Sequence, residues 1–188
     1  MFTKKLSIVS VMLFFVVALS STVYASEVKK GEIPAEHLNK SCKVLPWAAI
    51  VWDLPEAIPA LKGKEKILWV DTRPESFFDK GTVRGAVLLP YNKTGETGNV
   101  MTRENLDEAI KSGRFSKDSV KLVFFCQGPK CHRSYNAAYV AVTQWGFDAK
   151  NVIWFRDGYP ILFKEVKSNP KLKRKAKRYI SDSGISQL

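Results

Sequence analysis

The stretch "LVFFCQGPKCHRSYNAA", Leu122 to Ala138, decides the fold. Leu122 to Phe125 is uniformly apolar, as a strand buried on both faces must be. Gly128 and Pro129 then break the chain. From Ser134 the pattern turns helical, with Ala137, Val140, Ala141 and Trp145 forming one apolar stripe in "SYNAAYVAVTQWG". Between strand and helix lie two thiols, Cys126 and Cys131, and three potential cations, Lys130, His132 and Arg133. Three chemistries suit that loop: a nucleophilic cysteine in an anion-binding turn, a covalent haem site, or a plain disulfide.

Working outward, the same alternation of strand and helix continues in both directions. "AAIVW" reads as a strand, and Asp53 caps the helix after it, with Pro55 in the first turn, Glu56 completing a capping box and Gly63 ending it. "KILWVDT" is a second all-apolar strand, "PESFFDKG" a short helix stopped by Gly81, and "GAVLLP" a third strand. "RENLDEAIKSG" is amphipathic through Leu106 and Ile110, with Thr102 before it and Gly113 after it. "NVIWF" is the last strand, and "YPILFKEVKS" begins the final helices. The expectation is an α/β fold: a central parallel sheet of about five strands with helices on both faces. Ligands in such sheets bind beyond the carboxyl ends of the strands, where Cys126 and the trio Asp71, Thr72 and Arg73 fall.

The chain of 188 residues has room for one domain and appendages. Residues 1–25 read as a signal peptide: Lys4 and Lys5, an apolar run from Leu6 to Leu19, then Val23 and Ala25 before the cut. Retention as a membrane anchor is the alternative. Residues 26–47 are a weakly patterned lead-in, 48–166 the domain, and 167–188 a basic helical tail. The net charge of +12 is concentrated partly in "KLKRKAKRYI", Lys171 to Ile180. It reads either as a solvated face or as a patch for an acidic periplasmic partner or a membrane surface. No nucleic-acid motif accompanies it, and an exported chain has no use for one. Three cysteines, Cys42, Cys126 and Cys131, are an odd number, so one stays free, pairs between chains or does chemistry.

In sum these residues resemble a rhodanese-like domain. "LWVDTRPESFFDKGTVRGAVLLP" is similar to that family's strand ending in Asp-x-Arg, its acidic helix and its Gly-Ala turn, with Thr82 where a histidine is frequent. "VFFCQGPKCHRSYNAAYVAVTQWGFDAKNVIWFRDGYP" resembles its catalytic-cysteine strand, Arg-Ser helix start and closing glycine motif, with Asp157 in place of a first glycine. The family's active loop has four residues between cysteine and arginine, and related phosphatases and arsenate reductases have five. Here Gln127 to His132 makes six. The longer loop resembles that of exported rhodanese-like proteins with a second cysteine.

The resemblance implies a sulfurtransferase of the thiosulfate type, without cofactor or metal, in which Cys126 takes sulfane sulfur as a persulfide. The donor would be a small anion such as thiosulfate or polysulfide, and the acceptor a thiol or a cyanide-like nucleophile. Backbone N–H groups around Cys126 and the following helix N-terminus would lower the thiol pKa. Gln127, Gly128, Lys130, His132, Arg133 and Ser134 would line the substrate, and Asp71 and Arg73 would support the strand end. Cys131 would act as a resolving or redox thiol toward Cys126, or instead bridge to Cys42. Two other readings stand beside this one: a non-catalytic or thiol-redox module with Cys126 in a disulfide, and a haem protein through Cys126-x4-Cys131-His132 with His37 or Met101 as axial ligand.

Overall fold

The computed structural model describes residues 26–63, 65–92 and 100–182, so the expected signal peptide at 1–25 lies outside the described residues. In chain order the elements are α1 (Ala35–Leu38), β1 (Ile50–Trp52), α2 (Leu54–Lys62), β2 (Ile67–Asp71), α3 (Glu75–Phe78), β3 (Thr82–Val83) and β4 (Val87–Leu88). There follow α4 (Arg103–Ser112), β5 (Lys121–Phe125), α5 (His132–Thr143), β6 (Val152–Phe155), α6 (Gly158–Ser168), α7 (Pro170–Lys173) and β7 (Ile180–Ser181).

Five strands lie side by side in the order β1-β6-β5-β2-β4, and every neighbouring pair is parallel. The expected α/β architecture is therefore the observed one. The strands read as unbroken apolar runs because both faces are covered. In β5, Leu122 and Phe124 join one core with α4, α5 and the lead-in, while Val123 and Phe125 join the other with α2 and α6. On the first face Ala137, Ala138 and Ala141 are fully buried, small enough to let α5 lie close to the sheet. Local signals set the starts of α2 and α4 as expected. Asp53 and Glu56 form the reciprocal capping box of α2, and the Thr102 hydroxyl accepts from the Asn105 N–H at the head of α4.

Packing extends past 48–166 at both ends. The lead-in buries Ile33 and Leu45, and its Val28 exchanges two hydrogen bonds with the Asn136 side chain of α5, at 3.0 and 2.9 Å. The basic segment is no free helical tail either. It turns through short α7 and a 3-10 turn at Ala176–Arg178 into β7, which pairs antiparallel with β3. Leu172, Ala176 and Ile180 enter the second core. Among the described residues no helix is long and apolar enough to cross a membrane.

Candidate functional site

The carboxyl ends of the strands converge on one edge, which carries Asp53 after β1, Asp71 closing β2, Cys126 after β5 and Arg156 after β6. Cys126 is 1% exposed. Its position is set by hydrogen bonds on both sides: the Thr72 hydroxyl donates to the Phe125 carbonyl at 2.9 Å, and the Tyr159 N–H donates to the Cys126 carbonyl at 2.9 Å. The loop turns at Gly128, with φ +151°, and closes when the Cys131 N–H donates to the Gly128 carbonyl at 2.9 Å. Gly158, at φ +73°, backs this turn so closely that a Cβ there would lie 2.6 Å from both the Cys126 oxygen and the Gly128 nitrogen. Only glycine fits.

Cys126 and Cys131 are joined as a disulfide, with sulfurs 2.02 Å apart and Cα atoms 6.2 Å apart. Cys42 is free; its thiol donates weakly to the Val44 carbonyl in the lead-in. Cys131 thus pairs with Cys126 and not with Cys42. Cys131 is also the N-cap of α5, so the helix starts at His132, two residues before the expected Ser134. That shift decides what the next three side chains do. His132 is 7% exposed, and its Nε2–H donates to the Asn92 carbonyl at 2.9 Å, while burial pushes its pKa below the usual 6.5. Arg133 is half-buried, with Nε donating to Asn92 Oδ1 at 3.3 Å; burial alone draws its pKa down. Ser134 is 1% exposed and accepts a hydrogen bond from the Trp154 indole at 3.2 Å. Its hydroxyl is thus tied into the core between α5 and the sheet, a correction to its expected place along a substrate.

Lys130 is exposed, and Gln127 is half-buried with its Oε1 meeting no donor among the described residues. Asp71 and Arg73 form a buried ion pair; the guanidinium also donates to the Gly81 carbonyl at 2.7 Å and lies 4.5 Å over the Tyr159 ring. Thr82 donates to the Asp71 carboxylate at 2.7 Å, in the place where a histidine is frequent. Tyr159 links this network to the Cys126 loop, and burial raises its phenol to about 12.

The residue order pointed to none of Lys40, Asp53, Arg156 and Asp157 as site neighbours. Arg156 is fully buried, pairs with the Asp53 carboxylate and donates to the carbonyls of His37 and Asn39. Lys40 bridges Asp53 and Asp157, and Asp157 also accepts from the Leu54 N–H at 2.9 Å. A charged residue directly after each of two apolar strands was the available signal. A haem reading finds its groups engaged. The two thiols bind each other, His132 binds Asn92, His37 Nδ1 meets the Tyr135 hydroxyl at 2.8 Å, and Met101 is 1% exposed in the core. Among the described residues no cluster of three His, Cys, Asp or Glu side chains is placed to hold a metal ion.

Residues 54–161 match the Rhodanese-like domain. No curated protein sequence matches the chain. Solved structures similar to it include the BH2092 protein from Bacillus halodurans, 21% identical over 78% of this chain and 82% of that one, with a TM-score of 0.45. The As-Sb reductase from Leishmania major is 18% identical over 65% and 82%, with a TM-score of 0.46. The Tum1 protein from Saccharomyces cerevisiae is 17% identical over 65% and 45%, with a TM-score of 0.38.

Proposed function

The chain belongs to the rhodanese-like domain family, and on that premise we propose that it transfers sulfane sulfur through a persulfide on Cys126. One observation carries the reading. Cys126 ends a buried strand directly before a loop that feeds a twelve-residue helix whose first turn holds His132 and Arg133 and no acid. Backbone N–H groups and the positive end of such a helix favour a thiolate and the anion it attacks.

The reduced site would work as follows. The Cys126 thiolate attacks the outer sulfur of thiosulfate or a similar donor, the sulfur–sulfur bond breaks, and sulfite leaves with the electron pair. An acceptor thiolate or cyanide then takes the outer sulfur and returns Cys126 as thiolate. Alternatively, Cys131 gives up its proton and attacks the Cys126 sulfur; the outer sulfur leaves as hydrosulfide, carrying that proton, and the disulfide seen here results. Lys130 and Arg133 supply positive charge for the donor, and Gln127, Gly128 and His132 shape the loop. Export through residues 1–25 belongs to the same proposal, since a disulfide persists in an oxidising compartment. So does an anionic partner surface: Lys167, Lys173, Arg174, Lys175, Lys177 and Arg178 line a hollow of about 490 Å³.

The disulfide favours one second reading, a thiol-redox module that moves no sulfur. Intact mass separates the two. Protein reduced and then incubated with thiosulfate should gain one sulfur atom, and the Cys126→Ser variant should gain none. A wild-type mass that stays unchanged leaves the redox module.

A further inference from the structure

We propose that the Cys126–Cys131 disulfide undergoes exchange with an external dithiol, which attacks at Cys131 and expels Cys126. The proposal uses the site described above but does not depend on sulfur transfer.

The two sulfurs sit in unequal surroundings. Cys126 is 1% exposed, pinned by the Tyr159 N–H on its carbonyl and backed by Gly158. Cys131 is partly exposed, follows the exposed Lys130 and stands at the head of α5. Thiol–disulfide exchange requires direct approach of a thiolate to the sulfur it attacks, and access then selects the site. A thiol in solution meets Cys131. The departing Cys126 thiolate is left in the loop before α5, whose first turn holds no acid. Access thus selects the direction of attack.

The steps balance. The first thiolate of the reductant bonds to the Cys131 sulfur, the Cys126–Cys131 bond breaks, and its electron pair goes to Cys126. The reductant's second thiol, once deprotonated, attacks its own sulfur in the mixed disulfide, and Cys131 leaves and takes up a proton. The reductant is oxidised by two electrons to a disulfide, and the cysteine pair is reduced by two. A monothiol stalls after the first step, because the Cys126 thiolate, five positions away, recaptures Cys131 and expels it. That argument selects a dithiol as the physiological class. Lys130 and Arg133 beside the entry select one whose face around the thiol is neutral or acidic.

Trypsin cuts after Lys130 and so releases Cys126 and Cys131 on separate peptides. Full-length protein purified without reductant is treated with glutathione, quenched with N-ethylmaleimide and mapped by mass. Glutathione should fall on the Cys131 peptide and maleimide on the Cys126 peptide, in about tenfold excess over the reverse. To remove recapture, oxidised glutathione is added to the reduced single variants. It should load Cys131 in Cys126→Ser about tenfold faster than it loads Cys126 in Cys131→Ser. Glutathione mainly on Cys126, equal rates in the two variants, or maleimide on all three cysteines before any thiol is added would overturn the proposal. No sulfur donor is present, so a failure of sulfur transfer leaves this result standing.

Discussion

Arg133 lies two residues past Cys131, held by Asn92 and drawn down in pKa by burial alone. In the proposed reaction its guanidinium meets the anionic donor. Losing one charge-assisted contact costs about 1.5–3 kcal/mol, so Arg133→Ala should raise the KM for thiosulfate about 10- to 150-fold while Tm moves little. An unchanged KM with a lowered Tm would assign Arg133 to holding the loop. The two histidines of the chain make a separate prediction. His37 and His132 both have pKa values lowered from 6.5, chiefly by burial, so the folded state resists their protonation. Their contribution is present above pH 6.5 and is lost as pH falls through the lowered values. Asp53 is held well below its usual 3.8 by Arg156 and Lys40 against the opposing cost of burial, so its contribution disappears only at lower pH. Tm measured from pH 8 to pH 2 should therefore fall in two stages, the first beginning near 6.5 and the second below 3.8. A Tm that stays level between pH 7 and pH 5 would contradict the histidine stage.

At the scale of elements, α1 and the turn after it are bound to the sheet by charge. Arg156 alone connects the carboxylate at the head of α2 with two carbonyls of the lead-in, and Lys40 adds Asp157 at the head of α6. Asp157 directly precedes the glycine that backs the Cys126 turn, so the lead-in is mechanically joined to the site. Removing one partner of a buried pair leaves the other charge poorly compensated, at a cost of about 3–5 kcal/mol. Arg156→Met should lie near the lower figure, because Lys40 and Lys43 still face Asp53. Urea unfolding measures it; a loss below about 1 kcal/mol would mean that the clamp contributes little.

For the whole molecule, the question is where the folded unit ends. A chain truncated after Asn169 loses β7 and the buried side chains of Leu172, Ala176 and Ile180. Burial of a leucine or isoleucine contributes about 1.5–3 kcal/mol, so the truncation should cost about 3–6 kcal/mol, a large part of an ordinary domain's stability. Lys175→Gln or Lys177→Gln, which touch only the charged rim, should stay within about 0.5 kcal/mol. Equal unfolding midpoints for the truncated and full chains would return residues 170–182 to the status of a tail.

The order of residues by itself determined the alternating strands and helices, the parallel sheet, the caps at Asp53 and Thr102, and the place of Cys126 at a strand end. These rest on short-range physics: strands covered on both faces read as unbroken apolar runs, and a cap binds an amide within its own turn. Tertiary structure decided the rest. Cys131 joins Cys126 and leaves Cys42 free, and Ser134 turns to Trp154 because α5 begins at His132. Arg156 meets Asp53 only because β1 and β6 align Trp52 with Phe155, although the partners stand 103 positions apart. The two-residue strands β3 and β7 are too short to show a period, and the apolar residues of the lead-in are too widely spaced. Such contacts leave no local pattern, because their energy arises only once distant segments share one core.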